Sequence, residues 1–257
     1  MVIDGKVAFT GGINLADEYM NIVERFGYWK DTGVMLKGDA VRSFTLLFLQ
    51  MWNVTEKNIE GYSRYLNITI PTPETADGYV MGYGDDPYGK ERVGESVYLH
   101  MINTATKYLH IVSPYLVIDN VMMSSLKFAA KRVDVKIIMP GIPDKEYAYC
   151  LARTYYAELI EAGVEIYEFT PGFTHAKMFI SDDEKATVGT INLDYRSLFL
   201  HFEDGCFIYK NKVINRIEED YQKMLSASKR VSLMDCRNRP TYYKICGMLL
   251  RLLAPLM

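Results

Sequence analysis

Histidine and cysteine are scarce in this chain, four of each in 257 residues. No Cys-x-x-Cys spacing occurs and no histidines pair at metal-ligand spacing, so neither a zinc site nor a disulfide framework is expected. No cofactor is expected either. Cys150 and Cys206 sit inside apolar segments and read as reduced core residues. A basic surplus is also missing: 29 Lys and Arg face 32 Asp and Glu, for a net charge of -3. That balance argues against nucleic acid as a partner. No run approaches the roughly 18 apolar residues a membrane span needs; Ile245 to Met257 is too short and carries Arg251. Met1-Val-Ile-Asp4-Gly5 meets a charge at once, unlike a signal peptide. Neither a Gly-x-Ser-x-Gly elbow nor a Gly-x-x-x-x-Gly-Lys loop is present, which removes two common catalytic frames.

What is present is globular, with 49% hydrophobic and 24% charged residues. Short strands are expected at 1–3 and 6–10 around an Asp4-Gly5 turn, and another at 32–36. Asp39 is a plausible cap for a helix over 40–52. Pro71 and Pro73 break the pattern that follows, and the glycine-rich stretch 78–94 reads as a loop or boundary. Beyond it, helices alternate with strands. Helices are expected at 95–107, from Asp119 to 132, from Asp144 to Ala162 before Gly163, and from Asn211 to 225. Strands are expected at 109–112, 135–139, 164–169, 175–181, 186–188 and 206–209. This alternation means an α/β fold, a sheet covered by helices.

The chemistry concentrates between Phe173 and Glu203. His175, Lys177 and Asp182 form a His-x-Lys-x-x-x-x-Asp frame, followed by Asn192 and Ser197. An imidazole can attack phosphorus or donate a proton, an ammonium can hold a phosphate oxygen, and amide and hydroxyl groups can complete an anion site. On a strand His175 and Lys177 share one face, whereas Asp182 has opposite parity and lies about 20 Å from His175. Asp182 is therefore not expected to orient its own histidine. Glu203 is a second candidate partner for an imidazole. His100, His110 and His201 are expected to pack rather than react.

An internal repeat bears on that geometry. Placing Asp4 on Asp182 puts Ala8 on Ala186, Gly11 on Gly189, Ile13 on Ile191 and Asn14 on Asn192, without a gap. The stretch 31–44 likewise resembles 204–217. The same module occurs twice, and the first copy's His and Lys would fall upstream of Met1. In a pseudo-two-fold arrangement each aspartate would orient the other copy's histidine, so Asp4 is expected to support His175. Residues 1–78 then read as the remnant of a first module, 79–230 as a complete second module, and 231–257 as an amphipathic tail.

His175-Ala-Lys177-Met-Phe-Ile-Ser-Asp182 with Gly189-Thr-Ile-Asn192-Leu-Asp194-Tyr-Arg196-Ser197 resembles the second signature of the phospholipase D superfamily. Ser113-Pro114-Tyr115-Leu116, 140–145, 167–173 and His201-Phe202-Glu203 resemble bacterial cardiolipin synthase, and 2–14 resembles the end of that family's first signature. The resemblance covers essentially the whole chain. It implies a phospholipase D-like mixed sheet flanked by helices. It also implies metal-free transfer of a phosphatidyl group between two phosphatidylglycerol molecules through a phosphohistidine, giving cardiolipin and glycerol. Carried over by position, His175, Lys177 and Asp182 are the second motif, Asn192 a phosphate donor, and Asp4 and Asn14 what is left of the first. Family members carry N-terminal membrane helices and a complete first motif, which this sequence lacks. The expectation is an incomplete, weakly active or inactive chain, cytoplasmic or peripheral, that could pair with a full-length copy or a second chain. Two other readings stay open: a different phospholipase D-type phosphodiesterase, and a non-catalytic fragment that binds anionic lipid.

The tail from Tyr242 to Met257 pairs Lys244 and Arg251 with six Leu, Ile and Met side chains. As a helix it could lie on an anionic membrane surface, or dock as a terminal helix on the domain.

Overall fold

A computed structural model describes residues 1–54, 56, 61–69 and 77–256; the predicted break at Pro71 and Pro73 lies outside them. Two sheets organise the described residues. The smaller is antiparallel, in the order β1 (Val2–Ile3), β2 (Val7–Gly11), β3 (Gly33–Lys37). The larger has eight strands. Its central parallel set is β5 (Tyr108–Val112), β6 (Asp134–Pro140) and β7 (Glu165–Phe169), extended antiparallel through β8 (Met178–Ser181), β9 (Lys185–Gly189), β10 (Glu203–Tyr209) and β4 (Tyr79–Asp85). The three-residue strand β11 (Ser228–Arg230) closes the far edge.

Helices cover both faces of the large sheet, because alternate residues of its strands are apolar on both sides. Ile111, Ile137, Ile166 and Phe179 pack under α3 (Val93–Thr104), α4 (Asn120–Ala129) and α5 (Glu146–Ala162). Val112, Ile138, Met178 and Ile180 pack with α6 (Val213–Ser226) and, through Ala8 and Leu36, with the small sheet and α1 (Val41–Asn53). The α/β reading of the sequence, a mixed sheet flanked by helices, agrees with this architecture.

Several boundaries differ from expectation, each for a local reason. β4 runs through the stretch read as a loop. Its Gly82 and Gly84 let Phe44 and Leu47 of α1 close onto the strand, where a Cβ would come within 2.7 and 2.6 Å of them. Asp119 caps α4 as expected, accepting from the Met122 amide at 2.8 Å. Asp144 does not cap α5; its carboxylate accepts the Tyr115 hydroxyl at 2.6 Å instead. Asp39 makes no cap on α1 and pairs with Arg42. Gly163 ends α5 with φ of 110°, a conformation that suits glycine.

Two hairpin turns are alike. Asp4-Gly5 joins β1 to β2 with φ of 52° and 64°, and Asp182-Asp183 opens the β8–β9 turn with φ of 61° and 59°. Two successive left-handed residues match the twist of a tight hairpin, and Asp and Gly tolerate that region. The strand register then refines the downstream alignment. Gly11 pairs with Gly33, and Gly189 pairs with Gly205. Asp31 therefore corresponds to Glu203, one residue away from the Asp31–Asp204 match suggested by the sequence.

Candidate active site

The segment before β3 threads against the segment before β8. The Tyr28 amide donates to Pro171 O at 2.9 Å, Lys30 N to Phe173 O at 2.9 Å, and His175 N to Lys30 O at 2.7 Å. Asn21 fixes the Trp29 backbone from the other side, accepting its amide and donating to its carbonyl. Trp29 stacks on Phe173 at 4.6 Å and stands 5.2 Å from the His175 ring. His175 and Lys177 thus precede β8 rather than lying within it, as the expected strand over 175–181 had them.

This threading delivers Asp31 to His175. The imidazole Nδ1–H donates to Asp31 Oδ2 at 2.9 Å, and the Thr32 amide donates to Asp31 Oδ1 at 2.9 Å. With Nδ1 so engaged, the lone pair resides on Nε2, the free nitrogen for chemistry. Asp4, the expected partner, is instead in the β1–β2 turn, beside a cavity lined by Thr45, Phe48 and Tyr65. Asp4 sits in the turn before β2, and it is Gly12, past the other end of that strand, that lies against Asp31 and the His175 carbonyl. Asp31 was in view as the start of the second repeated stretch, and the Gly11–Gly33 pairing that places it needed the fold.

Lys177 is buried, and its ammonium donates to its neighbour His175 O at 2.6 Å. Burial pulls its pKa down to about 8, against the opposing pull of the carboxylates Asp31, Glu203, Asp194 and Asp144. Gly12 permits this crowding: a Cβ there would sit 2.6 Å from Asp31 Oδ1, 2.7 Å from His175 O and 2.8 Å from Lys177 Nζ. Asn14, two residues on, is exposed.

The remaining polar residues converge after β9. Asn192 Nδ2 donates to Ser197 Oγ at 2.9 Å, while its buried Oδ1 has no partner among the described residues. Asp194 accepts the Ser197 amide at 2.7 Å, and burial raises its pKa. The Thr190 hydroxyl donates to Glu203. Burial pushes the Glu203 carboxyl up to about 7, although hydrogen bonds from Thr190 and Ser197 and the Lys177 charge oppose the rise. A cleft of about 580 Å³ opens beside Glu203, walled by Leu47, Met51, Val54 and Phe202. Sequence reasoning missed Trp29, Asp31, Gly12, Thr190 and Asp194 as site components.

Asp182 stands apart from this cluster. Its carboxylate accepts the amides of Thr106, Lys107 and Tyr108 at 2.8, 2.7 and 3.1 Å and the Thr106 hydroxyl at 3.0 Å. The motif's Asp is a brace between the β8–β9 turn and the start of β5, not a partner for an imidazole. Among the described residues no group of three or more His, Cys, Asp or Glu side chains is arranged to hold a metal ion, and no helix is long and apolar enough to cross a membrane.

Residues 98–225 match the family model described as "Cardiolipin synthase, PLD-like domain". Over its full length the chain is 53% identical to an uncharacterized protein of Streptococcus mutans and 37% identical to a cardiolipin synthase of Alkalihalophilus pseudofirmus. It spans about half of each relative, 56% and 51% of their lengths. The fold is similar to that of phosphatidylserine synthase from Haemophilus influenzae, with a TM-score of 0.71 at 14% identity, covering 100% of this chain and 70% of that one. Residues 98–225 thus carry a phospholipase D-like domain, and the chain is similar along its entire length to bacterial cardiolipin synthases.

Proposed function

We propose that this chain carries half of the active site of a cardiolipin synthase-like phosphatidyltransferase, with phosphatidylglycerol as donor and acceptor. The observation that carries the reading is the Asp31–His175 hydrogen bond, which leaves Nε2 free, with the Lys177 ammonium held at the His175 carbonyl. A phosphodiester placed there would have one oxygen on Lys177, with Asn192 and Ser197 as neutral donors.

Transfer takes two displacements. In the first, an imidazole nitrogen attacks phosphorus, the bond from phosphorus to the headgroup oxygen breaks, and a second imidazole protonates the departing glycerol. In the second, that imidazole takes the proton from the hydroxyl of another phosphatidylglycerol. The freed oxygen attacks phosphorus and the phosphorus–nitrogen bond breaks. His175 is one of these two imidazoles. The second comes from outside these 257 residues, from the rest of a longer protein or from a second chain, and enters the cleft beside Glu203. Glu203, whose Oε1 lies 3.7 Å from this chain's own exposed His201 imidazole, turns to hold the incoming one as Asp31 holds His175. Asp4 and Asp182 shape hairpins and take no part in the chemistry.

The test supplies labelled phosphatidylglycerol to the chain alone and to the chain mixed with a polypeptide carrying a His-x-Lys first motif. Labelled cardiolipin in the mixture, lost in His175→Asn, supports the proposal. Phosphatidic acid as the sole product would identify a hydrolase. Retained lipid binding with no product from either sample would identify a non-catalytic lipid-binding chain. Robust cardiolipin synthesis by the chain alone would refute the need for a second imidazole from elsewhere.

A further inference from the structure

The C-terminal helix α8 (Thr241–Leu253) is fastened to the domain along one face. Gly247 lies against α5, where a Cβ would come 2.5 Å from Thr154 Cγ2 and 3.1 Å from Cys150 O. Cys150 Sγ donates to Tyr243 O at 3.2 Å, and the Arg251 guanidinium lies 4.4 Å over the Tyr155 ring and 3.8 Å from Glu158. Ala254, just past the helix, is buried. The opposite face carries Ile245, Met248, Leu249 and Leu252, which are 50%, 59%, 61% and 79% exposed. Their i, i+3, i+4, i+7 spacing makes a continuous apolar stripe, the pattern of a helix face that is covered by something.

Charge identifies what covers it. From Cys236 to Met257 the sequence holds Arg237, Arg239, Lys244 and Arg251 and no Asp or Glu. Lys244 is exposed and donates to Arg237 O, and the Arg237 side chain is 76% exposed, 4.0 Å from Glu161. An apolar stripe bordered by cations suits the headgroup–acyl boundary of an anionic bilayer, where each element finds its own solvent. The stripe offers no central polar group that would set a protein partner's register.

We propose that α8 is an interfacial anchor that seats the protein on an anionic phospholipid bilayer. Ile245, Met248, Leu249 and Leu252 enter the acyl boundary, and Lys244 and Arg237 face the phosphates. The two sequence-level readings of the tail are then both satisfied: the helix docks by one face and meets the membrane with the other.

Vesicle flotation of the full chain tests this, in a His175→Asn background so that no turnover is involved. Because binding is read separately from products, failure here and failure of the phosphatidyltransferase reading are distinguishable. Vesicles of phosphatidylglycerol and of phosphatidylserine are expected to bind alike, phosphatidylcholine vesicles much less, and added salt is expected to weaken binding. Leu249→Glu with Leu252→Glu is expected to lower binding tenfold or more, with an unchanged unfolding midpoint. Leu252→Gln alone, at the most exposed position, covers the case in which the double variant misfolds. Unchanged binding in these folded variants overturns the proposal. So does a wild-type chain that floats with no vesicle, or one that binds phosphatidylglycerol but not phosphatidylserine. If the wild type instead self-associates and the double variant does not, the face is an interface between copies and the proposal is likewise overturned.

Discussion

Asp31 and Glu203 occupy the same place in two hairpins, β2–β3 and β9–β10. Each lies two residues before a glycine, Gly33 or Gly205, that pairs across the hairpin with Gly11 or Gly189. Asp31 reaches from the segment before β3 to His175. Glu203 accepts the Thr190 hydroxyl and borders the open cleft. The carboxylate that meets the His175 imidazole therefore comes from just before β3, and not from the motif's own Asp182.

Asp31→Asn keeps the shape but removes the charge and the acceptor that hold Nδ1–H. In the catalytically competent assembly it is expected to lower turnover by about 100-fold or more, as losses of positioning groups around reacting histidines do. Asp4→Asn is expected to stay within a few-fold of the parent protein. Equal losses in both, measured as initial rates of cardiolipin formation, would return the orienting role to Asp4.

Asp182→Ala is expected to act on the fold. Four hydrogen bonds from 106–108 end on this carboxylate. Burial alone would raise its pKa, yet the backbone amides of Lys107, Tyr108 and Thr106 outweigh burial and hold it below the usual carboxylate value. A depressed folded-state pKa contributes stability that is present above the unfolded value, near 4, and lost as pH falls through the folded one. The substitution should cost about 3 kcal/mol at pH 7, seen in urea unfolding, with the gap to the parent closing toward pH 3. Affinity of the folded variant for inorganic phosphate should be unchanged.

Gly12→Ala tests the crowding at the site. A methyl group there meets Asp31 Oδ1, His175 O and Lys177 Nζ, all within 2.8 Å. The His175 carbonyl is backbone and cannot swing aside, so the hairpin carrying Gly12 must move away from the histidine. We expect the Asp31–His175 contact to open and turnover to fall at least tenfold, about 1.4 kcal/mol in barrier. A crystal structure of the variant with that contact intact would contradict this.

The periodic parts of this chain were legible because local chemistry decides them. Val112 and Ile138 alternate with residues buried on the other face, Asp119 and Gly163 bound their helices, and Asp4-Gly5 and Asp182-Asp183 demand the same hairpin turn. β4 was not legible, since Gly82 and Gly84 make sense only beneath Phe44 and Leu47. The motif His175-x-Lys177 and the polar residues Asn192 and Ser197 could be read from spacing. The Asp31 contact could not, because 144 residues separate it from His175 and strand register alone brings it there. The two aspartates chosen for catalysis had two meanings in sequence, turn former and acid, and the folded hairpins select the first.

Glu203 and Lys177 set the pH behaviour of the site. Burial raises Glu203 to about 7 and lowers Lys177 to about 8. Below pH 7 the carboxyl is neutral and the ammonium charged, the best state for an anion. Sulfate, whose charge does not change in this range, should bind most tightly there, with affinity falling as pH rises through 7 and again through 8; Glu203→Gln should remove the first step. Stability carries the same signature with a definite sign. Between the unfolded value of about 4.5 and the folded value near 7, the folded chain binds a proton on Glu203 that the unfolded chain does not, so the stability this group permits falls as pH rises across that window. Glu203→Gln lacks the penalty and is expected to be more stable than the parent at pH 8, by up to about 3 kcal/mol, with little difference at pH 4.5. A stabilised variant with lost turnover marks a group kept for function at the cost of stability. A parent and variant that unfold alike at pH 8 would show that Glu203 ionises there without penalty.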